Sequence, residues 1–434
     1  MITRPINVVL SISLVFGMSC NSKGQSEPSK LKLFQPISYD ERKVPAYTLP
    51  DVLRSADGTI VSSVKQWEEK RRPELLEFFS TYMFGKVPEI TEVSSLGTVV
   101  TTENALNGKA IRKDILIYPL GNHREFQINL QIYLPKTAPK NPVPIFLAMN
   151  IYPNFVVCED AEIDRPDSML IANGKLTKSC ERGKMSNFWQ LEKILDRGYG
   201  LATFGYQDIV LDDAEAFYNG FPSLFYKPGQ RFPNPDEWGA ISLWAWQMSK
   251  VMDYIMSDSM IDNKEVIAIG HSRLGKTALW AAAQDKRFAM AISSGSGCGG
   301  AAISRRQYGE TIEAINQRYP HWFCGNFKQF DNREQFMPFD QHELIALIAP
   351  RPVYIGCAED EKWEDPKGEF LSGKEASVVY HLYGLTGLEC DEMPPVDHPI
   401  ASGNIGYHVR KGKHTMNEYD WEQYLNFADY HFQK

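Results

Sequence analysis

A serine hydroxyl becomes a nucleophile only when a base takes its proton, and the base needs an acid to orient it. Residues of all three types stand in a suggestive order here. Val266-Ile267-Ala268-Ile269-Gly270-His271-Ser272-Arg273-Leu274-Gly275-Lys276 is an apolar run entering a glycine-bearing turn, and the alanine-rich stretch Thr277 to Gln284 follows it. The pattern reads as strand, sharp turn and helix. It sets Ser272 above the C-terminal end of the strand, with helix N–H groups behind it to receive a developing oxyanion. The second glycine is Gly275, one residue later than in G-x-S-x-G. Taken alone, the segment fits a strand-to-helix turn with a capping serine equally well.

The partners decide between these readings. The apolar run Val353 to Gly356 ends in Cys357-Ala358-Glu359-Asp360-Glu361-Lys362-Trp363, which places carboxylates at the end of a late strand. A solvated acidic loop is the plain alternative. There are nine histidines to choose from. His271 adjoins the serine and is expected to point elsewhere on the turn. His381 and His408 are expected within strands, His398 lies in a proline-rich loop and His431 near the C-terminus. His414 follows the short strand Ile405 to Val409 and the Gly412 turn, and precedes a final helix from about Asn417. A loop in that place brings a base back over the serine, and the chain order serine, acid, histidine is that of α/β-hydrolases.

The surrounding elements agree. Ile115 to Tyr118 and Gln127 to Tyr133 alternate apolar and polar residues across Gly121-Asn122, as paired antiparallel strands do. Short apolar runs at Pro144 to Met149, Tyr199 to Phe204, Val266 to Gly270, Met290 to Ser293 and Val353 to Gly356 read as buried strands. An amphipathic helix is expected from Asp236 to Met256, with Asp236 as its cap and one stripe from Ile241, Trp244, Met248, Val251, Met252 and Ile255. Antiparallel strands first and a parallel, helix-covered series after them give an α/β-hydrolase fold. The expected division is a leader at 1–20, a tether at 21–30, an N-terminal wrap at 31–95 and the main domain at 96–434. Val64 to Tyr82 forms a helical stretch within the wrap.

The chain has 434 residues with 43% apolar and 23% charged, ordinary globular proportions, and its net charge of −8 argues against nucleic acid as a partner. Arg4, the uncharged run Ile6 to Met18 and Gly17-Met18-Ser19-Cys20 read as a lipoprotein leader with Cys20 as the lipidated residue. The protein is therefore expected to be exported, to the periplasm or as an outer-membrane lipoprotein, touching membrane only through that lipid. The six remaining cysteines permit disulfides, in any of about 15 pairings. No zinc spacing, dinucleotide fingerprint or P-loop is present in the sequence, and no cofactor is expected.

Several ordered motifs together resemble the bacterial glucuronoyl esterases of carbohydrate esterase family 15. They are Gly270 to Lys276 with Thr277 to Asp285, Glu237-Trp238-Gly239-Ala240-Ile241, Ser296 to Ala302, Gln341 to Pro352 and Trp363 to Phe370. The resemblance runs from about Lys43 to the C-terminus, and the shifted glycine is normal for that family. It implies hydrolysis of the ester between 4-O-methyl-glucuronate on glucuronoxylan and a lignin alcohol. The chain is expected to be a monomer. The resemblance implies Ser272 as nucleophile, His414 as base and Arg273 as oxyanion stabiliser, with Lys276, Glu310 and Trp363 contacting the sugar. Some members carry the acid just before the Ser-Gly-Cys-Gly-Gly stretch. Here that residue is Gly295, so the acid moves to the late-strand loop, at Glu361 two residues before Trp363, with Glu359 and Asp360 as alternatives. The loop Asn150 to Phe155 also departs from the family's glycine-rich pattern. Two other functions fit the residues: a xylan acetyl or cinnamoyl esterase, and a non-catalytic glycan-binding surface lipoprotein.

Overall fold

Strands rich in β-branched and aromatic residues build one nine-stranded sheet. A computed structural model describes residues 37–432 apart from 122, 139–141, 164, 166–167, 172–174 and 179. The leader, Cys20, the tether and Asn122 lie outside the described residues. In chain order the strands are β1 (Ser95–Asn104), β2 (Ala110–Tyr118), β3 (Ile128–Pro135), β4 (Val143–Asn150), β5 (Ser168–Ile171), β6 (Lys175–Lys178), β7 (Gly200–Gly205), β8 (Ile261–His271), β9 (Met290–Ser294), β10 (Val353–Ala358) and β11 (Ile405–Arg410). The large sheet runs β1-β2-β3-β7-β4-β8-β9-β10-β11, while β5 and β6 form a separate hairpin. The β1–β2, β2–β3 and β3–β7 pairs are antiparallel, and every pair from β7 through β11 is parallel. This is the α/β-hydrolase arrangement expected from the sequence.

Strands β4, β9, β10 and β11 are buried along their whole length, and β8 over its second half, because both faces are covered. Alternation divides their side chains between two cores. Ile145, Leu147, Val266 and Ala268 face the larger one, which also holds Trp244, Met248, Trp280 and Leu344. Phe146, Ala148, Ile267 and Ile269 face the other, filled by Trp189, Trp421, Tyr424 and Phe427. Five helices matter for the site: α1 (Arg72–Phe79), α2 (Ala240–Ile255), α3 (Arg273–Gln284), α4 (Pro366–Leu382) and α5 (Glu418–Phe432).

Two expectations are corrected. Helix α2 starts at Ala240 with Gly239 at its N-cap position, not at Asp236. The preceding residues serve tertiary bonds instead: the Asp236 carbonyl accepts from the Lys86 N–H, and the Gly239 N–H donates to the Phe84 carbonyl. His381 lies in α4 rather than in a strand. The dense Val378-Val379-Tyr380 run hides the helical spacing that buries Phe370, Ala376, Val379 and Tyr380 together.

Residues 37–434 form one compact unit. Near its start, Val64 to Phe84 is continuously helical, with wide π turns at Trp67–Arg71 and Ser80–Phe84 on either side of α1. Phe84 stacks on Trp280 of α3 with centroids 4.5 Å apart. Arg71 pairs with buried Glu343 at 2.6 Å, and Arg72 donates to the Ala283 and Leu347 carbonyls. The N-terminal segment thus braces the helix that follows Ser272. Among the described residues Cys158, Cys298, Cys324, Cys357 and Cys390 are free thiols.

Candidate active site

Strand β8 ends at His271, and Ser272 turns sharply with φ +59° and ψ −127°. A non-glycine residue in that region is strained and is held there by its surroundings. The Ser272 N–H donates to the Ser294 carbonyl at 2.8 Å, which ties the turn to β9. Close approach of the strand to α3 demands glycine before the turn: a Cβ on Gly270 would lie 1.9 Å from the Leu274 carbonyl oxygen. Although Ser272 sits at the N-cap position, its side chain makes no capping bond. The capping-serine reading therefore fails, and the hydroxyl is left for other work.

Loop residues after β11 place His414 over this turn. Its ring lies 4.3 Å from that of His271, centroid to centroid. His271 was expected to point elsewhere on the turn than Ser272; its ring packs against His414, and its Nδ1 pairs with Ser294 Oγ at 3.2 Å. Burial, with the neighbouring His414 charge, holds the His271 pKa well below its usual value, so it is a neutral support. His414 Nδ1 donates to Glu361 Oε1 at 2.9 Å. That bond leaves Nε2 with its lone pair. Burial alone would lower the His414 pKa, but the Glu361 hydrogen bond and the Glu364 and Glu361 charges outweigh it and raise the pKa.

Of the three adjacent carboxylates, the turn after β10 buries Glu361 and leaves Glu359 and Asp360 exposed. Glu361 Oε2 also accepts from the Ala358 N–H. Gly295, where the resemblance noted above puts the acid of some members, makes room for Glu361. It has φ +50°, and a Cβ on it would lie 2.7 Å from Glu361 Oε2. The two sequence positions thus converge on one place beside His414.

Arg273 and Lys276, one turn apart on α3, lie over the Trp322 indole. The Arg273 guanidinium carbon is 4.5 Å and Lys276 Nζ 6.0 Å from its ring centroid. Arg273 forms an ion pair with Asp212, and Lys276 donates to the Ser296 carbonyl. Glu310 is joined to the loop of Trp363 through its N–H, which donates to the Trp363 carbonyl at 2.9 Å. Burial pushes the Glu310 carboxyl up to about 7, against the pull of Lys276. The guanidinium of Arg318 covers the Trp363 ring at 4.8 Å.

Several residues near the site escaped the sequence reading. Asp212 accepts from Tyr206, His321, Trp322 and Arg273. Glu369 accepts from the Ser296 and Gly297 N–H groups at 2.8 Å each. Glu364 fills the space left open at Gly297, where a Cβ would lie 1.8 Å from its Oε2, and burial raises its pKa. The unusual glycine content of Ser296 to Gly300 was the one available signal for these close approaches. Beside the turn, an apolar cleft is lined by Tyr152, Met185, Phe188, Trp189, His271 and Met416. Among the described residues no group of three or more His, Cys, Asp or Glu is placed to hold a metal ion.

A family model for fungal glucuronyl esterases matches residues 190–384. A carbohydrate esterase from an unknown prokaryotic organism is 46% identical over 401 residues, covering 91% of this chain and 92% of that one. The solved glucuronoyl esterase of Solibacter usitatus superposes with a TM-score of 0.85 at 44% identity, over 89% of this chain and 99% of that one. A promiscuous family 15 carbohydrate esterase from a marine bacterial metagenome superposes with a TM-score of 0.84, also at 44% identity, over 91% and 100% of the two chains.

Proposed function

The chain belongs to the glucuronoyl esterases of carbohydrate esterase family 15, and from that premise we propose a serine mechanism acting on 4-O-methyl-glucuronoyl esters that join glucuronoxylan to lignin alcohols. It is a carboxylic ester hydrolase, so the non-catalytic alternative is set aside. The observation that carries the mechanism is the Glu361–His414 bond of 2.9 Å, with the imidazole over the strained turn at Ser272.

Ser272 attacks the uronoyl carbonyl while His414 Nε2 takes its proton. The carbonyl oxygen becomes an oxyanion, met by the Arg273 guanidinium and the N–H groups at the start of α3. Collapse breaks the ester bond, and the imidazolium returns the proton to the leaving alcohol. Water, deprotonated by His414, then releases the uronate from Ser272. Lys276, Glu310 and Trp363 hold the sugar hydroxyls. The apolar side chains of Tyr152, Phe188 and Met416 stand beside the turn, on the side proposed for the leaving alcohol.

Benzyl and methyl esters of glucuronic acid, compared with acetylated xylan, test this reading. The benzyl ester should be turned over fastest, and Ser272→Ala should lose at least about 10⁴-fold in kcat. Undiminished activity in that variant rules out the serine mechanism, and preference for acetyl groups rules out the substrate class. We also propose export with a lipid on Cys20, which predicts palmitate labelling of the natural chain in bacterial cells. Equal labelling of Cys20→Ala disproves it.

A further inference from the structure

Arg273 carries a mobile side chain, yet an oxyanion donor works only when it is fixed before the reaction. Asp212 supplies the fixation. Its carboxylate is fully buried. Oδ1 accepts from His321 Nε2 at 2.9 Å and Trp322 Nε1 at 2.7 Å, while Oδ2 accepts from the Tyr206 hydroxyl at 2.9 Å and from Arg273. Burial alone would raise its pKa, but these donors hold it well below the usual carboxylate range. It therefore stays charged across the working pH range.

The ring below completes the frame. Trp322 stacks on Tyr319 with centroids 3.7 Å apart and planes 3° from parallel. The Arg273 guanidinium carbon lies 4.5 Å from the Trp322 centroid and 5.2 Å from that of Tyr319, so it sits against the side of the stacked pair, and the Lys276 ammonium lies 6.0 Å from the indole centroid. Cation–π attraction operates at such separations. The same indole thus adjoins one cation proposed to meet the oxyanion and another proposed to meet the sugar, and its N–H is tied to Asp212. The start of α2 anchors this loop: the Ala240 and Ile241 N–H groups donate to the His321 and Trp322 carbonyls. A Cβ on Gly239 would lie 2.4 Å from the Trp322 oxygen, which gives the Glu237-Trp238-Gly239-Ala240-Ile241 motif a physical reason.

We propose that Asp212 and Trp322 are positioning residues, a clamp and a platform that fix the Arg273 guanidinium for the oxyanion and align Lys276 beside it. Neither touches substrate; both act through the cations of α3. The inference rests on Arg273 serving the oxyanion, as the proposed function has it.

A double-variant cycle on benzyl glucuronate tests it, with circular dichroism to verify folding. Asp212→Asn should lower kcat about 10–100-fold, part of the loss expected for an oxyanion donor, while KM stays within about threefold. In an Arg273→Ala background the same change should cost less than about twofold, because the group it positions is gone. A residue that merely stabilises the fold would add its full loss in both backgrounds, and that result overturns the proposal. Normal kcat in Asp212→Asn with a loss in Arg273→Ala overturns the clamp alone, whereas full activity in Arg273→Ala overturns the oxyanion assignment and the clamp together. Trp322→Phe keeps an aromatic ring and the Asp212 carboxylate but removes the N–H to Asp212 together with the five-membered ring that bears it, so it serves where Asp212→Asn does not fold. Its kcat should fall about 3–10-fold, again only when Arg273 is present.

Discussion

At the scale of single residues, His414 is governed by two opposing effects. Burial disfavours its charged form, and the neighbouring carboxylates favour it more strongly. In the proposed mechanism the base must be neutral to accept the serine proton, so the rate should fall on the acid side as His414 becomes protonated. Because its pKa is raised, the acid limb of kcat/KM should have its midpoint above the ordinary histidine value of about 6.5. Glu361→Gln removes the charge-assisted hydrogen bond and one of the two raising charges, leaving that of Glu364. It should move that limb to lower pH and reduce the plateau about 10³–10⁴-fold, since the imidazole also loses its orienting acceptor. A pH–rate profile of both forms checks this, and an unmoved limb counts against Glu361 as the partner of the base. The sequence named three adjacent carboxylates without separating them. Only the turn after β10, which buries one and exposes two, distinguishes them.

At the scale of elements, the strand–turn–helix unit from β8 to α3 depends on how tightly two backbones approach. The Leu274 carbonyl stands where a Gly270 side chain would go, and a helix backbone cannot move aside as a flexible side chain can. Gly270→Ala should therefore destabilise the protein by about 3 kcal/mol or more, the upper end for overpacking, and abolish turnover in whatever folds. Urea unfolding and activity per folded molecule measure the two effects separately; a fully active, stable variant contradicts the tight turn. This unit was legible in the sequence because an apolar run, glycines and an alanine-rich stretch are local signals. The start of α2 was not. Asp236 has the chemistry of a cap, but its carbonyl is taken by Lys86, about 150 residues earlier in the chain.

At the scale of the whole molecule, the N-terminal segment is part of the core rather than an ornament. Phe84 is fully buried and stacks on Trp280, which belongs to the helix carrying Arg273 and Lys276. Phe84→Ala should cost about 3–5 kcal/mol through the cavity it leaves. Chemical denaturation reads this directly, and a cost under about 1 kcal/mol would mean that the segment packs loosely on α3. The fold class, with antiparallel strands first and a parallel series after them, was expected correctly from the sequence, because alternating strands and helices leave few arrangements that bury both faces of a sheet; the strand order within the sheet came with the structure. The strand–turn–helix around Ser272 and the chain order Ser272, Glu361, His414 were also legible in local pattern and chain direction. Tertiary structure alone decided which carboxylate meets His414, why Gly295 must lack a side chain, that His271 supports the base, and that Asp212 and Trp322 hold Arg273. Each of those is a contact between residues far apart in sequence or a matter of side-chain direction, set by the closing of loops over the sheet, and no local spacing encodes it.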